Sequence, residues 1–184
     1  MSLKDRWIHL IYRTATGSRK IRLLITPIVA LSYFLFASLF VILSFPTDRL
    51  LGLPDLLPPS ISAVLSIPVI FLGLFLAFWS VLHFFQVRGG TPVPFNPPPE
   101  LVTSGPYAHA RNPMLSGLFI LLFGLGLAFR SVSLSFIFTP LFILVNVMEV
   151  KTIEEPELEM RLGQRYLEYK KRTPMFFPWR GSER

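Results

Sequence analysis

Two short segments hold most of the residues in this chain that could do chemistry. The first, Gly90 to Met114, ends in Ala108-His109-Ala110-Arg111-Asn112-Pro113-Met114, and the second, Glu154 to Pro178, opens on Glu154-Glu155-Pro156 and carries Tyr166 and Tyr169. Arg111 stands at a helix entrance. Its planar guanidinium can hold a carboxylate through two parallel hydrogen bonds, and the helix N-terminus beyond it adds positive potential for the same anion. An ordinary boundary arginine is the plainer alternative. Glu154 and Glu155 are adjacent carboxylates at the end of an apolar stretch. Such a pair is costly to desolvate and repels itself unless a cation sits beside it. Thr152 to Glu155 also fits a capping box with Pro156 in the first turn of a new helix. The two readings are compatible.

Other chemistries find little to use. The chain has no cysteine, which removes disulfides and thiolates. His9, His83 and His109 lie far apart with no metal-ligand spacing, so no metal site is expected. Gly124-Leu125-Gly126 sits inside an apolar run with no strand before it, so the soluble dinucleotide logic does not apply. Gly117 and Gly124, seven apart on one helical face, instead suit close helix packing.

The elements that must position these residues are apolar and long. Of 184 residues 52% are hydrophobic and only 16% charged, a balance of the membrane class. Leu23 to Thr47 and Leu56 to Val87 contain no charge, and each exceeds the ~20 residues a helix needs to cross a bilayer. Met114 to Phe129 and Ser131 to Met148 are shorter runs parted only by Arg130. They are expected to form a tight hairpin with Arg130 snorkelling at its tip. The fold expected is therefore an all-α integral membrane protein of about four transmembrane helices, one domain over residues 1–184, with an amphipathic C-terminal helix. The first apolar run outlasts a typical h-region of roughly 7–15 residues and no small-x-small site follows it, so no cleaved leader is expected.

Basic residues set the expected orientation. Lys4, Arg6, Arg13, Arg19, Lys20 and Arg22 precede the first span, and residues 151–184 hold a second cluster, whereas the loop after span one has only Arg49. Both termini are expected to be cytoplasmic. The net charge of +7 is then explained by topology and by the lipid bilayer, with no nucleic-acid partner expected. Residues 88–113 contain seven prolines and should form an extended cytoplasmic loop. Its Val93, Phe95, Leu101, Val102 and Tyr107 suggest that it folds over a site at the membrane. In the C-terminal helix Leu158, Leu162, Tyr166 and Tyr169 share a face, flanked by the i,i+4 pairs Glu157–Arg161 and Glu168–Arg172.

Arg111-Asn112-Pro113-Met114-Leu115-Ser116-Gly117, the Glu154-Glu155 pair and Gly163-x-x-Tyr166-x-x-Tyr169 together resemble the isoprenylcysteine carboxyl methyltransferase and phospholipid methyltransferase superfamily of membrane enzymes. The resemblance spans residues 70–178, with Leu115 replacing the family's usual tyrosine. It implies S-adenosylmethionine as cofactor, held by Arg111, Asn112, Pro113, Gly117, Glu154, Glu155 and Tyr169; it would let Tyr166 line the pocket too, whereas the shared apolar face of the helix gives Tyr166 a packing role. It also implies methyl transfer to a lipophilic acceptor, isoprenylcysteine-, phospholipid- or otherwise lipid-like, at the cytoplasmic face. A glutamate of the pocket, assigned as Glu155, would accept a proton where the acceptor must lose one. A membrane reductase of the same fold and a non-catalytic membrane scaffold are the alternatives. The reductase would need further basic residues for dinucleotide phosphates, and Leu115 leans toward the scaffold.

Overall fold

In the computed structural model, residues 3–15, 19–88 and 101–176 are described. Helices are the only regular elements among them: α1 (Leu3–Ala15), α2 (Arg19–Leu50), α3 (Pro59–Arg88), a 3₁₀ turn (Gly105–Ala108), α4 (Pro113–Ala128), α5 (Thr139–Glu149), α6 (Glu155–Leu162) and α7 (Gln164–Arg172). Two π-helical turns, Leu134–Phe138 and Val150–Glu154, flank α5. Three apolar stretches are long enough to cross a membrane: Leu24–Leu50, Pro59–Gln86 and Leu134–Leu162. The apolar helix Pro113–Ala128 is shorter.

The chain forms two compact units. The first, residues 33–78 and 114–146, is built from the C-terminal part of α2, the N-terminal part of α3, nearly all of α4 and most of α5. Its core is aromatic: the Phe142 ring is fully buried, with the rings of Phe36, Phe40 and Phe119 5.2–6.1 Å away. These offset and edge-on pairs suit the ring quadrupoles. Between α3 and α4 small residues let the backbones touch. A Cβ on Gly117 would lie 2.6 Å from the Ala77 amide nitrogen, and one on Gly73 would lie 2.6 Å from that of Leu121. Gly124 likewise meets Val69 and Ile70. Lipid tails offer no hydrophobic drive for helix association, so such van der Waals contact supplies it.

The expected hairpin is present, and Arg130 at its tip has φ of 57°. Its head pairs with Asp55 at 2.6 Å, a protein partner where headgroups or water were expected. Asp48 accepts from the Ser131 hydroxyl and the Ser133 amide, which ties α2 to the second arm of the hairpin.

The second unit comprises residues 1–32, 79–113 and 147–184. Here Ile8 and Ile11 of α1 are buried, and α1 packs on α6 and on the turn Val150–Glu154. The capping box expected at Thr152–Glu155 does not form. The last long helix continues past Met148 to Leu162, and the Thr152 hydroxyl donates back to the Met148 carbonyl at 2.7 Å. A threonine caps only where the chain before it is non-helical; here Glu149 and Glu154 both have helical dihedrals. The single C-terminal helix is also corrected. Gly163, at φ 57° and ψ −135°, ends α6 and starts α7, in a region open to glycine.

Candidate functional site

Within this unit the two chemically rich segments meet. The 3₁₀ turn Gly105–Ala108 opens the approach. His83 Nε2 lies 2.9 Å from the Ser104 hydroxyl, and a side chain at Gly105 would strike the His83 ring. The turn thus fixes Tyr107, which is buried with its ring 5.3 Å from Phe84. Val102 is buried too and Leu101 half-buried. Val93 and Phe95 lie outside the described residues.

After the turn, residues 110–112 run beside the chain that leaves α7. The Arg111 and Asn112 amides donate to the Pro174 and Met175 carbonyls at 2.8 and 2.9 Å. The Tyr169 hydroxyl donates to the Tyr107 carbonyl at 2.6 Å, a second staple between the segments. Pro113 is fully buried at the start of α4, where its missing amide costs nothing.

The centre of the site is an ion cluster. Arg111 Nη1 pairs with Glu155 Oε1, while its Nε donates to the Thr173 carbonyl at 3.0 Å. The Tyr166 hydroxyl stands 3.4 Å from Nη1. Glu155, only 4% exposed, also pairs through Oε2 with Lys170 at 2.6 Å, and Lys170 reaches Glu159 at 2.8 Å. Beside it Glu157 is buried against Arg161 at 2.8 Å, the expected i,i+4 pair. The second expected pair is absent: Arg172 Nε points at the Glu168 carbonyl instead.

Glu155 thus finds its cations inside the chain. Glu154 does not. It is partly exposed, with Arg111 nearby and the carboxylates of Glu149, Glu155 and Glu157 around it, and no hydrogen-bond donor reaches it among the described residues. One residue of offset on a helix, about 100°, separates the locked carboxylate from the open one.

The surroundings favour neutral phenols. Burial pushes the Tyr166 hydroxyl up to about 12, with the Glu155 charge adding to the effect and the Arg111 contact opposing it. Burial also raises Tyr107, helped by Tyr169, and raises Tyr169 against the pull of Arg111. Hydrogen bonds to Glu155 and Glu159 raise Lys170 and hold it charged.

Of the residues singled out from sequence, Arg111, Glu155, Tyr166 and Tyr169 share this hydrogen-bonded network, with Asn112 and Pro113 in its frame and Glu154 at its edge. Gly117 lies in the other unit against Ala77 and Gly73. Lys170 and Thr173 were missed. Lys170 falls one residue after Tyr169, and no helical spacing to Glu155 announces it across the bend at Gly163. Among the described residues no cluster of His, Cys, Asp or Glu is arranged to hold a metal ion.

Comparison with known proteins agrees with these motifs. The profile of the phospholipid methyltransferase family matches residues 61–165. The nickel-cobalt-cadmium resistance protein NccN of Alcaligenes xylosoxydans xylosoxydans is 35% identical over 79 residues, which cover 43% of this chain and 36% of that protein. The match thus takes in little more than a third of that relative's length. No solved structure matches.

Proposed function

The chain belongs to the phospholipid methyltransferase family, within the isoprenylcysteine carboxyl methyltransferase-like superfamily of membrane methyltransferases, and from that premise we propose that it moves a methyl group from S-adenosylmethionine to a lipophilic acceptor at the cytoplasmic face of a membrane. One observation carries the reading beyond the family. Of two adjacent carboxylates, Glu155 is neutralised by Arg111 and Lys170, while Glu154 has no hydrogen-bond donor among the described residues. An open carboxylate next to a fixed guanidinium suits a ligand that carries both a cation and a carboxylate. Arg111, held by Glu155 and by the Thr173 carbonyl, would present its remaining N–H groups to the carboxylate of the cofactor's methionine part. Glu154 would face the ligand's ammonium or sulfonium charge.

Bound S-adenosylmethionine supplies an electrophilic methyl carbon. The chain's task is then orientation and exclusion of water. Tyr107, Tyr166 and Tyr169 are neutral phenols that wall the site, and Tyr169 ties the loop down through the Tyr107 carbonyl. An amine or thiol acceptor must also lose a proton. Glu154 is better placed to take it than Glu155, whose two carboxylate oxygens are already engaged by Arg111 and Lys170. We therefore assign Glu155 a positioning role. Four membrane crossings, by α2, α3, α4 and the helix Leu134–Leu162, with both termini cytoplasmic, would put this unit at the cytoplasmic face.

The test is a titration of the detergent-purified protein with S-adenosylmethionine and S-adenosylhomocysteine, followed by incubation of methyl-labelled donor with membranes. Binding of both ligands and label in the lipid-extractable fraction are expected. Glu154→Gln should weaken binding by roughly 10- to 150-fold, the range for a charge-assisted hydrogen bond. A wild-type protein that binds neither ligand would overturn the donor assignment and favour a scaffold. Binding without label in lipid would overturn the acceptor class.

A further inference from the structure

Helix α1 has three distinct sides. Ile8 and Ile11 are buried against the rest of their unit. Trp7 and Leu10, three apart, share a flank and are 54% and 49% exposed. Arg6 and Arg13, seven apart, form an exposed stripe next to that flank, and exposed His9 lies beyond them. A solvated helix has no use for an exposed tryptophan and leucine on one flank. A helix lying in a membrane interface does: indole and leucine enter the acyl boundary, and arginines beside them reach the headgroups. Chain connectivity permits the placement, because the apolar stretch Leu24–Leu50 begins only nine residues after α1 ends.

We propose that α1 is an interfacial helix that binds the surface of an anionic phospholipid bilayer, with Trp7 and Leu10 in the acyl boundary and Arg6 and Arg13 on lipid phosphates. Charge complementarity selects the occupant. Arginine phosphate contacts are bidentate and strong, and an anionic leaflet concentrates basic segments within about a Debye length. The same helix packs on α6, whose first residue is the Glu155 that locks Arg111. Lipid charge thereby acts on the helix that braces the site.

The chain is free of cysteine, so single nitroxide labels can be placed on the full-length protein at Leu10→Cys and, separately, at His9→Cys. Each is reconstituted into phosphatidylcholine bilayers with and without phosphatidylglycerol. Collision with oxygen, which concentrates in acyl chains, is compared with collision with a water-soluble nickel complex. In anionic bilayers the label at position 10 should favour oxygen and the label at position 9 should favour the nickel complex. Adding Arg6→Gln and Arg13→Gln to the first should shift the bound population by about 30-fold, from two basic contacts. Two results would each defeat the proposal. One is equal exposure to the nickel complex at both positions in anionic bilayers. The other is shielding at position 10 that is unchanged by phosphatidylglycerol and by the arginine changes, accompanied by dimers in detergent, which gives the flank to a second copy of this chain.

Discussion

Removing the charge of Glu155 should damage this protein more than any other single-atom change in the site. Glu155→Gln keeps the shape but strips the counter-charge from Arg111, whose side chain is only 10% exposed. Breaking a buried ion pair from one side costs about 3–5 kcal/mol, because the remaining charge is stranded. Lys170 suffers less, since it is a third exposed and keeps Glu159. For a chain of this size each kcal/mol lowers the melting temperature by about 2–4 °C, so a loss of about 6–20 °C is expected. The assay is thermal unfolding in detergent followed by tryptophan fluorescence. Removing both charges, as Arg111→Met with Glu155→Met, should recover part of that loss, because a buried pair exchanged for apolar side chains is often neutral. Recovery should be incomplete by about 1–3 kcal/mol, as the Thr173 carbonyl loses its Nε donor. A Glu155→Gln protein that melts within about 3 °C of wild type, or a double variant worse than the sum of the singles, would refute the claim that this pair holds the two segments together.

Gly117→Ala should destabilise by about 1–3 kcal/mol, because its Cβ would meet backbone atoms of α3 at 2.6 and 2.7 Å; Gly124→Ala should cost less, since its nearest neighbour at 2.9 Å is the Ile70 side chain, and the reverse order of melting temperatures would contradict the helix contact. Alkaline titration of phenolate absorbance should show Tyr107, Tyr166 and Tyr169 still protonated at about pH 11, beyond the ordinary value near 10. Folded values raised above the unfolded one mean that the stability these phenols confer is full below about pH 10 and is lost as pH climbs through about 12. Ionisation of all five tyrosines by about pH 11 in protein that is still folded would contradict their burial.

How much of this was legible in the chain depended on range. The long apolar helices, the hairpin at Arg130 and the glycine seam follow from local patterns of charge and small residues; the structure contains the hairpin and the seam, and three of the helices are long enough to span. The i,i+4 pair Glu157–Arg161 follows in the same way. What failed were competitions between two local rules. Thr152-x-x-Glu155 is a capping signature only if the helix begins there, and the hydroxyl instead bonds back one turn inside a helix already running. Gly163 carried a usable signal, glycine at a helix end, yet the tyrosine and leucine periodicity runs straight through it. Residues 1–22 read as a basic N-terminus, and the three-sided pattern of α1 acquires meaning only once Ile8 and Ile11 are seen to be covered.

The carboxylate pair shows why charge arithmetic alone misassigns roles. Two adjacent carboxylates at the end of an apolar stretch call for a cation, and from sequence the cation could equally be a ligand or a residue far along the chain. Arg111 lies 44 residues before Glu155, a separation at which no periodicity can speak. The fold resolves the ambiguity by dividing the pair. Glu155 turns toward Arg111 and Lys170, and its neighbour on the helix, Glu154, keeps the like-charge burden of Glu149, Glu155 and Glu157, with Arg111 to offset it among the described residues. A site that satisfies one carboxylate and leaves its neighbour unsatisfied stores an affinity for positive charge. On the proposed reading that affinity is directed at the methyl donor, and it makes a distinction between the two variants. Loss of Glu155 should appear first as lost stability, whereas loss of Glu154 should relieve repulsion, leave the melting temperature equal or higher, and appear only in ligand binding.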